Sequence, residues 1–116
     1  MVRIPFKKKV MEEQKNIYLL LINWYGGVVS ISERLTTGNL SHQKEALKGY
    51  LLRINEYLLK YYADDEIALK HTDTFSHLYD KCNRLTTGNL SHDNNIIRAI
   101  AKNNITLINK KYLNKK

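Results

Sequence analysis

The sequence has little of the two residue types that most restrict a chain, cysteine and proline. Its one cysteine, Cys82, has no partner for a disulfide within the chain, so a reducing compartment is the simplest expectation. One proline among 116 residues leaves room for long helices. The apolar residues 17–31 are too few to cross a bilayer and include Asn23, which favours a buried amphipathic helix over a signal peptide. We expect a cytoplasmic protein without a membrane span.

Net charge is absent from the centre of the sequence, although the whole chain carries a formal charge of +8. Four basic residues precede position 10 and four more follow position 109. Residues 10–109 hold eleven basic and eleven acidic residues, and therefore no net charge. This pattern predicts one helical-bundle domain over residues 1–116, with basic tails at about 1–10 and 110–116. Such tails suit weak contacts with nucleic acid or another acidic surface.

A nonapeptide, Arg-Leu-Thr-Thr-Gly-Asn-Leu-Ser-His, occurs at residues 34–42 and again at residues 84–92. Its glycine can close one helix in the left-handed conformation, and its serine can cap the next helix. Each copy is therefore predicted to be a short turn between two antiparallel helices. The expected closing and capping residues are Gly38, Gly88, Ser41 and Ser91.

Apolar residues around these turns recur at steps of three and four, which is typical of helices with one buried face. The pattern predicts helices over about 12–35, 41–62, 73–86 and 91–112. The residues predicted to form the apolar face are, helix by helix, Ile17, Leu20, Leu21, Trp24, Val28, Ile31 and Leu35; Leu47, Leu51, Ile54, Leu58 and Tyr62; Phe75, Leu78, Cys82 and Leu85; and Ile97, Ala101, Ile105, Ile108 and Tyr112. Residues 66–72 fit either a loop or an early turn of the third helix. Four amphipathic helices joined by short turns predict an all-α protein, an antiparallel up-down four-helix bundle.

Residue patterns for catalysis or metal binding are missing. The four histidines form no HxxxH or ExxH pair, and Cys82 has no cysteine nearby. The acidic residues 64–66 lack the spacing of a calcium loop and are expected to cap the third helix. We therefore expect no enzyme, no metal and no cofactor. The pair Gly26 and Gly27 fits either a kink or the close approach of a second helix.

Tyrosine is frequent, with eight residues against two phenylalanines. Tyr50, Tyr57 and Tyr61 share one flank of the second helix, at steps of seven and four. Exposed tyrosine is enriched in protein interfaces. The same positions also suit rings that border the core and keep their hydroxyls in water, so both interpretations stay open.

Several short motifs occur in an order that resembles the flagellar secretion chaperones of the FliS type, over about residues 17–110. The motifs are Leu-Leu-Leu-Ile-Asn-Trp-Tyr-Gly at 19–26, Gly-Asn at 38–39, Glu-Ala-Leu at 45–47, Leu-Tyr-Asp at 78–80, Arg-Leu at 84–85, and Gly-Asn-Leu at 88–90 with Asp93. Members of this family are small cytosolic bacterial helical bundles. They hold the disordered C-terminal segment of flagellin and prevent its premature polymerisation.

The resemblance implies apolar grooves between helices into which the client folds. The residues it suggests for client binding are Trp24, Tyr25, Tyr50, Tyr57, Tyr61, Leu78 and Tyr79. For Trp24 and Leu78 a place in the core is the competing interpretation. Two other functions remain open: a bacteriocin immunity protein, since these are also small, basic, cytosolic four-helix bundles, and a nucleic-acid-binding regulator that uses the basic tails.

Overall fold

A computed structural model describes the backbone of residues 6–110 and the side chains of residues 17–110. The described chain is entirely helical and contains no strand. Its helices are α1 (Phe6–Arg34), α2 (Leu40–Tyr61), α3 (Glu66–Asn83) and α4 (Leu90–Ile108). α1 packs mainly against α4, and α2 packs mainly against α3. The predicted all-α class with four helices is confirmed. The predicted basic tails lie largely outside the described residues, at 1–5 and 111–116.

The core is formed by one apolar stripe from each helix. Four of the five residues predicted for the α2 stripe are buried, Leu47, Leu51, Ile54 and Leu58, and the fifth, Tyr62, is half-buried just after the helix. The α3 stripe was predicted as well, since Phe75, Leu78, Cys82 and Leu85 are all buried. Each fully buried large side chain contributes about 1.5–3 kcal/mol relative to an exposed one. The spacing of apolar residues was therefore sufficient to identify the buried faces of the two middle helices.

The buried face of α1 is rotated relative to the prediction. Tyr25 and Ser32 are fully buried, whereas Trp24 and Ile31 are only half-buried. The reason lies in the helix pairing, because α1 packs more closely against α4 than against α2. Residues of α1 that face α2 are consequently covered only in part.

Two helices begin at least six residues before their predicted starts. α3 begins at Glu66 instead of Asp73, because Asp65 caps it: its carboxylate accepts the N–H groups of Ile67 at 2.9 Å and Ala68 at 3.1 Å. The acidic cluster thus caps α3 as predicted. α1 begins at Phe6, six residues before the predicted start.

Both copies of the nonapeptide form the turn that was predicted between two helices, and an asparagine closes each turn. The Asn39 side chain accepts the N–H of Thr36 at 2.8 Å and donates to the carbonyl of Arg34 at 2.8 Å. Asn89 makes the equivalent bonds with Thr86 and Arg84, at 2.8 and 3.0 Å. Identical sequence therefore gives identical local geometry at both turns.

The predicted capping details were wrong. α2 and α4 begin at Leu40 and Leu90, one residue before the serines Ser41 and Ser91, so these serines do not occupy the capping position. No glycine has a positive φ in the part of the chain that the structure describes, so neither Gly38 nor Gly88 is left-handed. The asparagine side chain ties the turn to the preceding helix, and the left-handed glycine is not required.

Candidate protein-binding site

Three aromatic side chains meet on the surface where α1 and α2 lie side by side. The ring centroids of Trp24 and Tyr57 are 5.4 Å apart in an edge-on arrangement, and those of Tyr57 and Tyr61 are 4.7 Å apart. Tyr57 is 40% exposed and Tyr61 is 60% exposed. We call Trp24, Tyr57 and Tyr61 the aromatic cluster. All three are residues that the sequence suggested for client binding.

The cluster follows directly from helix geometry. Tyr57 and Tyr61 are four residues apart on α2, so their side chains lie on the same face. Trp24 completes the cluster from α1 because it lies on the side of that helix that α2 covers only in part. The ammonium group of Lys60 lies 5.3 Å from the centre of the Tyr61 ring, which places one positive charge at the edge of the cluster.

Tyr50 lies on the same flank of α2, where α1 carries its two glycines. A Cβ atom added at Gly27 would lie 2.1 Å from the Tyr50 hydroxyl oxygen. Gly27 is therefore a close-packing site, because only a residue without a side chain leaves room for this ring. Burial raises the pKa of Tyr50 above its usual value, so its hydroxyl stays protonated at neutral pH.

Beside Tyr50, the outer face of α1 forms a shallow open depression of about 450 Å³, which we call the α1 groove. Its lining residues are Leu19, Ile22, Asn23, Gly26, Gly27, Ser30 and Tyr50. Among residues 17–110, a Cβ atom added at Gly26 would meet no atom within 4 Å beyond its sequence neighbours and its own helix backbone. A glycine in a helix interior costs about 1 kcal/mol relative to alanine. At Gly26, unlike Gly27, no contact within the described chain offsets that cost.

The α1 groove carries no charge. Residues 16–32 contain no Asp, Glu, Lys, Arg or His, although Leu19, Asn23 and Ser30 are exposed. The exposed face of a helix in a soluble bundle is normally charged or strongly polar. Even so, none of the helices in the described range is long and apolar enough to cross a membrane. An uncharged, half-apolar face of this kind is suited to contact with another protein.

Tyr25 occupies the core, where it connects α1 to α3. It is fully buried, stacks on Phe75 at 4.5 Å between ring centroids, and its hydroxyl lies 2.6 Å from Nδ1 of His71. Burial raises the pKa of Tyr25 above its usual range, and a hydrogen bond with Thr74 partly opposes this rise. Burial also lowers the pKa of His71, and the charge of Lys70 adds to the effect. At neutral pH a protonated hydroxyl and a neutral imidazole therefore share this hydrogen bond.

Leu78 and Tyr79 do not join the aromatic cluster. Leu78 is fully buried in the core. Tyr79 is half-buried on the side of the molecule where α2 meets α3, and Lys48 of α2 lies 5.7 Å from the centre of its ring. The same flank of α2 carries Asn55, whose side chain donates to Ser76 of α3 at 2.9 Å. Of the residues suggested for client binding, four therefore lie where α1 meets α2: Trp24, Tyr50, Tyr57 and Tyr61. The other three, Tyr25, Leu78 and Tyr79, lie in the core or on α3.

Sequence reasoning missed two kinds of residue. The first kind is exposed leucine: Leu52, Leu59 and Leu69 are 42–55% exposed. Their positions outside the buried stripes could have identified them from the sequence. Ser32 and Asn94 are buried polar residues that join α1 to α4, with Asn94 Nδ2 donating to the Ser32 carbonyl at 2.9 Å. Nothing in the spacing distinguished Ser32 from an exposed serine.

The titratable side chains offer little for chemistry in the described region. Cys82 is buried, which raises its thiol pKa to about 11, and its Sγ lies 3.6 Å from the Lys44 carbonyl. A thiol in this environment stays protonated and is a poor nucleophile. Within residues 17–110, no three His, Cys, Asp or Glu side chains are grouped as metal ligands would be.

The aromatic cluster and the α1 groove together form the candidate binding surface. Comparisons of the chain with family models, with curated proteins and with solved structures gave no match.

Proposed function

We propose that the protein acts by binding and not by catalysis, as a cytoplasmic export chaperone for the C-terminal segment of flagellin. The observation that carries the proposal is the exposed aromatic cluster, which continues into an uncharged groove on α1. Tyrosine and tryptophan supply a large contact area at a small cost in side-chain entropy. The choice of flagellin as the client comes from the order of short sequence motifs, which is similar to that of the FliS-type chaperones.

An antiparallel up-down bundle is part of this proposal, since such a bundle presents grooves along its whole length. Two contacts support opposite directions for α1 and α2. Trp24 contacts Tyr57, and Gly27, further along α1, lies against Tyr50, which is earlier in α2. A groove of this kind suits an amphipathic helix that lays its apolar face between the two helices.

The physical task of such a chaperone is to cover apolar surface that would otherwise assemble. A disordered client pays an ordering cost when it folds onto its partner, so its affinity depends on several anchors spread over a long contact. The aromatic cluster provides two exposed anchors, Tyr57 and Tyr61, and the half-buried Trp24 behind them. We infer that the client helix is held there while its own assembly surface is covered.

Co-expression with a flagellin C-terminal segment, followed by gel filtration, tests the proposal directly. We expect a soluble 1:1 complex. The double variant Tyr57→Ala/Tyr61→Ala should bind at least about tenfold more weakly, since aromatic anchors of interfaces are commonly worth about 2 kcal/mol or more each. Leu107→Ala is the control, because Leu107 is an apolar residue of α4, 51% exposed, that belongs neither to the aromatic cluster nor to the lining of the α1 groove.

Two results would contradict different parts of the proposal. Separate elution of the wild-type protein and the flagellin segment would end the chaperone proposal. A complex that forms equally well with the double tyrosine variant would keep the function and remove the aromatic cluster as its site.

The charge of the chain favours one second candidate, a bacteriocin immunity protein. The formal charge of +8 and the length of 116 residues suit that class of small basic bundles. Such a protein protects its producer by engaging a membrane receptor complex. If this candidate is right, expression of the protein should protect a sensitive strain from the bacteriocin that is encoded next to its gene. No complex with flagellin should then form.

A further inference from the structure

Gly26 is a glycine that the described packing of the chain does not explain. Its neighbour Gly27 makes room for Tyr50, whereas a Cβ atom added at Gly26 would meet no described atom of another helix within 4 Å. Glycine in mid-helix weakens the helix, so a position that gains nothing inside the molecule points to a requirement outside it. The close approach of another backbone is the contact that only glycine permits.

The surroundings of Gly26 indicate what kind of chain approaches. Leu19 and Ile22 provide apolar surface on one side, and Asn23 and Ser30 provide neutral hydrogen-bonding groups beside the glycine. No charged residue occurs between residues 16 and 32, so a charged partner surface would lose its solvation there without gaining an opposite charge. The complementary surface is therefore uncharged.

We propose that a helix of the client crosses α1 at Gly26, with an uncharged contact face and a small residue, Gly, Ala or Ser, at the crossing point. This inference rests on the proposed function and specifies which client segment the site accepts. Small residues on both helices allow their backbones to approach closely, and the apolar neighbours then pack against Leu19 and Ile22. From the crossing, the client continues onto the aromatic cluster, since Trp24 and Gly27 are three residues apart on α1.

A second copy of this chain is a poorer occupant of the same face. Residues 19–30 span about 17 Å of helix, and a helix is about 10 Å wide, so the face offers roughly 200 Å². A stable complex between folded proteins needs about 800 Å² from each partner. A client segment that folds on binding can wrap beyond the groove over the aromatic cluster and so reach a larger area, whereas a folded second copy meets this surface with one rigid face.

The test compares two glycine variants in binding to the flagellin C-terminal segment. Gly26→Leu places a side chain in the groove at the crossing point, and its Cβ would meet no described side chain or neighbouring helix within 4 Å. Gly49→Leu is the matched control on α2, where an added Cβ would meet only the guanidinium of Arg53 at an ordinary 3.7 Å. We expect Gly26→Leu to weaken binding at least about tenfold and Gly49→Leu to change it less than about twofold. Thermal melting of both variants shows that each is folded.

The outcomes separate this inference from the proposed function. If the wild-type protein binds and Gly26→Leu binds as well as Gly49→Leu, the crossing at Gly26 is wrong while the chaperone function stands. If the wild-type protein does not bind the segment, both are wrong. Should Gly26→Leu fail to fold, Gly26→Ala replaces it, with an expected loss of about threefold in affinity. An unchanged affinity in that variant would also overturn the inference.

Discussion

The two adjacent glycines of α1 predict opposite responses to the same substitution. Gly26→Ala should stabilise the protein by about 1 kcal/mol, because alanine is the better helix former and the added methyl group meets no other helix in the described part of the chain. Gly27→Ala gains the same helix propensity, but its methyl group would lie 2.1 Å from the Tyr50 hydroxyl oxygen and 2.5 Å from Cζ, so the ring has to leave its position. Overpacking of this kind costs about 1–3 kcal/mol. The net effect is destabilisation by about 1 kcal/mol.

Urea unfolding followed by circular dichroism measures both effects, and the two variants should differ by about 2 kcal/mol in their free energy of unfolding. In a Tyr50→Ala background the collision is absent, so Gly27→Ala should then stabilise by about 1 kcal/mol, as Gly26→Ala does. The reasoning would be refuted if both alanine variants stabilised the wild-type background equally. That result would mean that the Tyr50 ring does not rest on Gly27.

Two further predictions concern the turns and the buried histidine. Asn39→Ala should destabilise the protein by about 1 kcal/mol in urea unfolding, since it removes two hydrogen bonds. Gly38→Ala should change stability by less than about 0.5 kcal/mol, because the φ of Gly38 is not positive. A larger loss at Gly38 would mean that this glycine adopts the left-handed conformation. Because burial lowers the pKa of His71 in the folded state, the unfolded chain takes up this proton first as the pH falls through about 6.5. The contribution of His71 to stability is therefore complete above that pH and declines below it. His71→Gln should lose less stability between pH 7.5 and 5.5 than the wild type. An identical decline in both proteins would mean that burial does not hold the imidazole neutral in the folded state.

The fold could be predicted from the spacing of apolar residues where a helix has one clear buried stripe. On α2 the four buried residues follow steps of four, three and four, which is the spacing of one helical face. α1 is apolar on more than one face, since residues 16–32 carry no charge at all. Spacing alone could not decide which face is buried there, because the answer depends on how closely α4 and α2 approach.

The repeated turns show a similar limit. The glycine and serine of the nonapeptide are plausible closing and capping residues, yet the asparagine between them forms the hydrogen bonds that define the turn. Local sequence also does not determine burial: Leu40 is half-buried and Leu90 is buried, although both occupy the same position in identical nonapeptides. The helices that surround each copy account for the difference.

The candidate site depends on the same rotation of α1. Trp24 and Tyr25 are neighbours in sequence, and one residue along a helix turns a side chain by about 100°. With Tyr25 directed into the core against His71 and Phe75, Trp24 is placed at the seam, where it meets Tyr57. The same rotation brings Gly27 under Tyr50 and leaves Gly26 facing outward. The rotation of α1 that buries Tyr25 therefore also determines the positions of the aromatic cluster, the α1 groove and Gly26. For this reason the three features form one continuous surface.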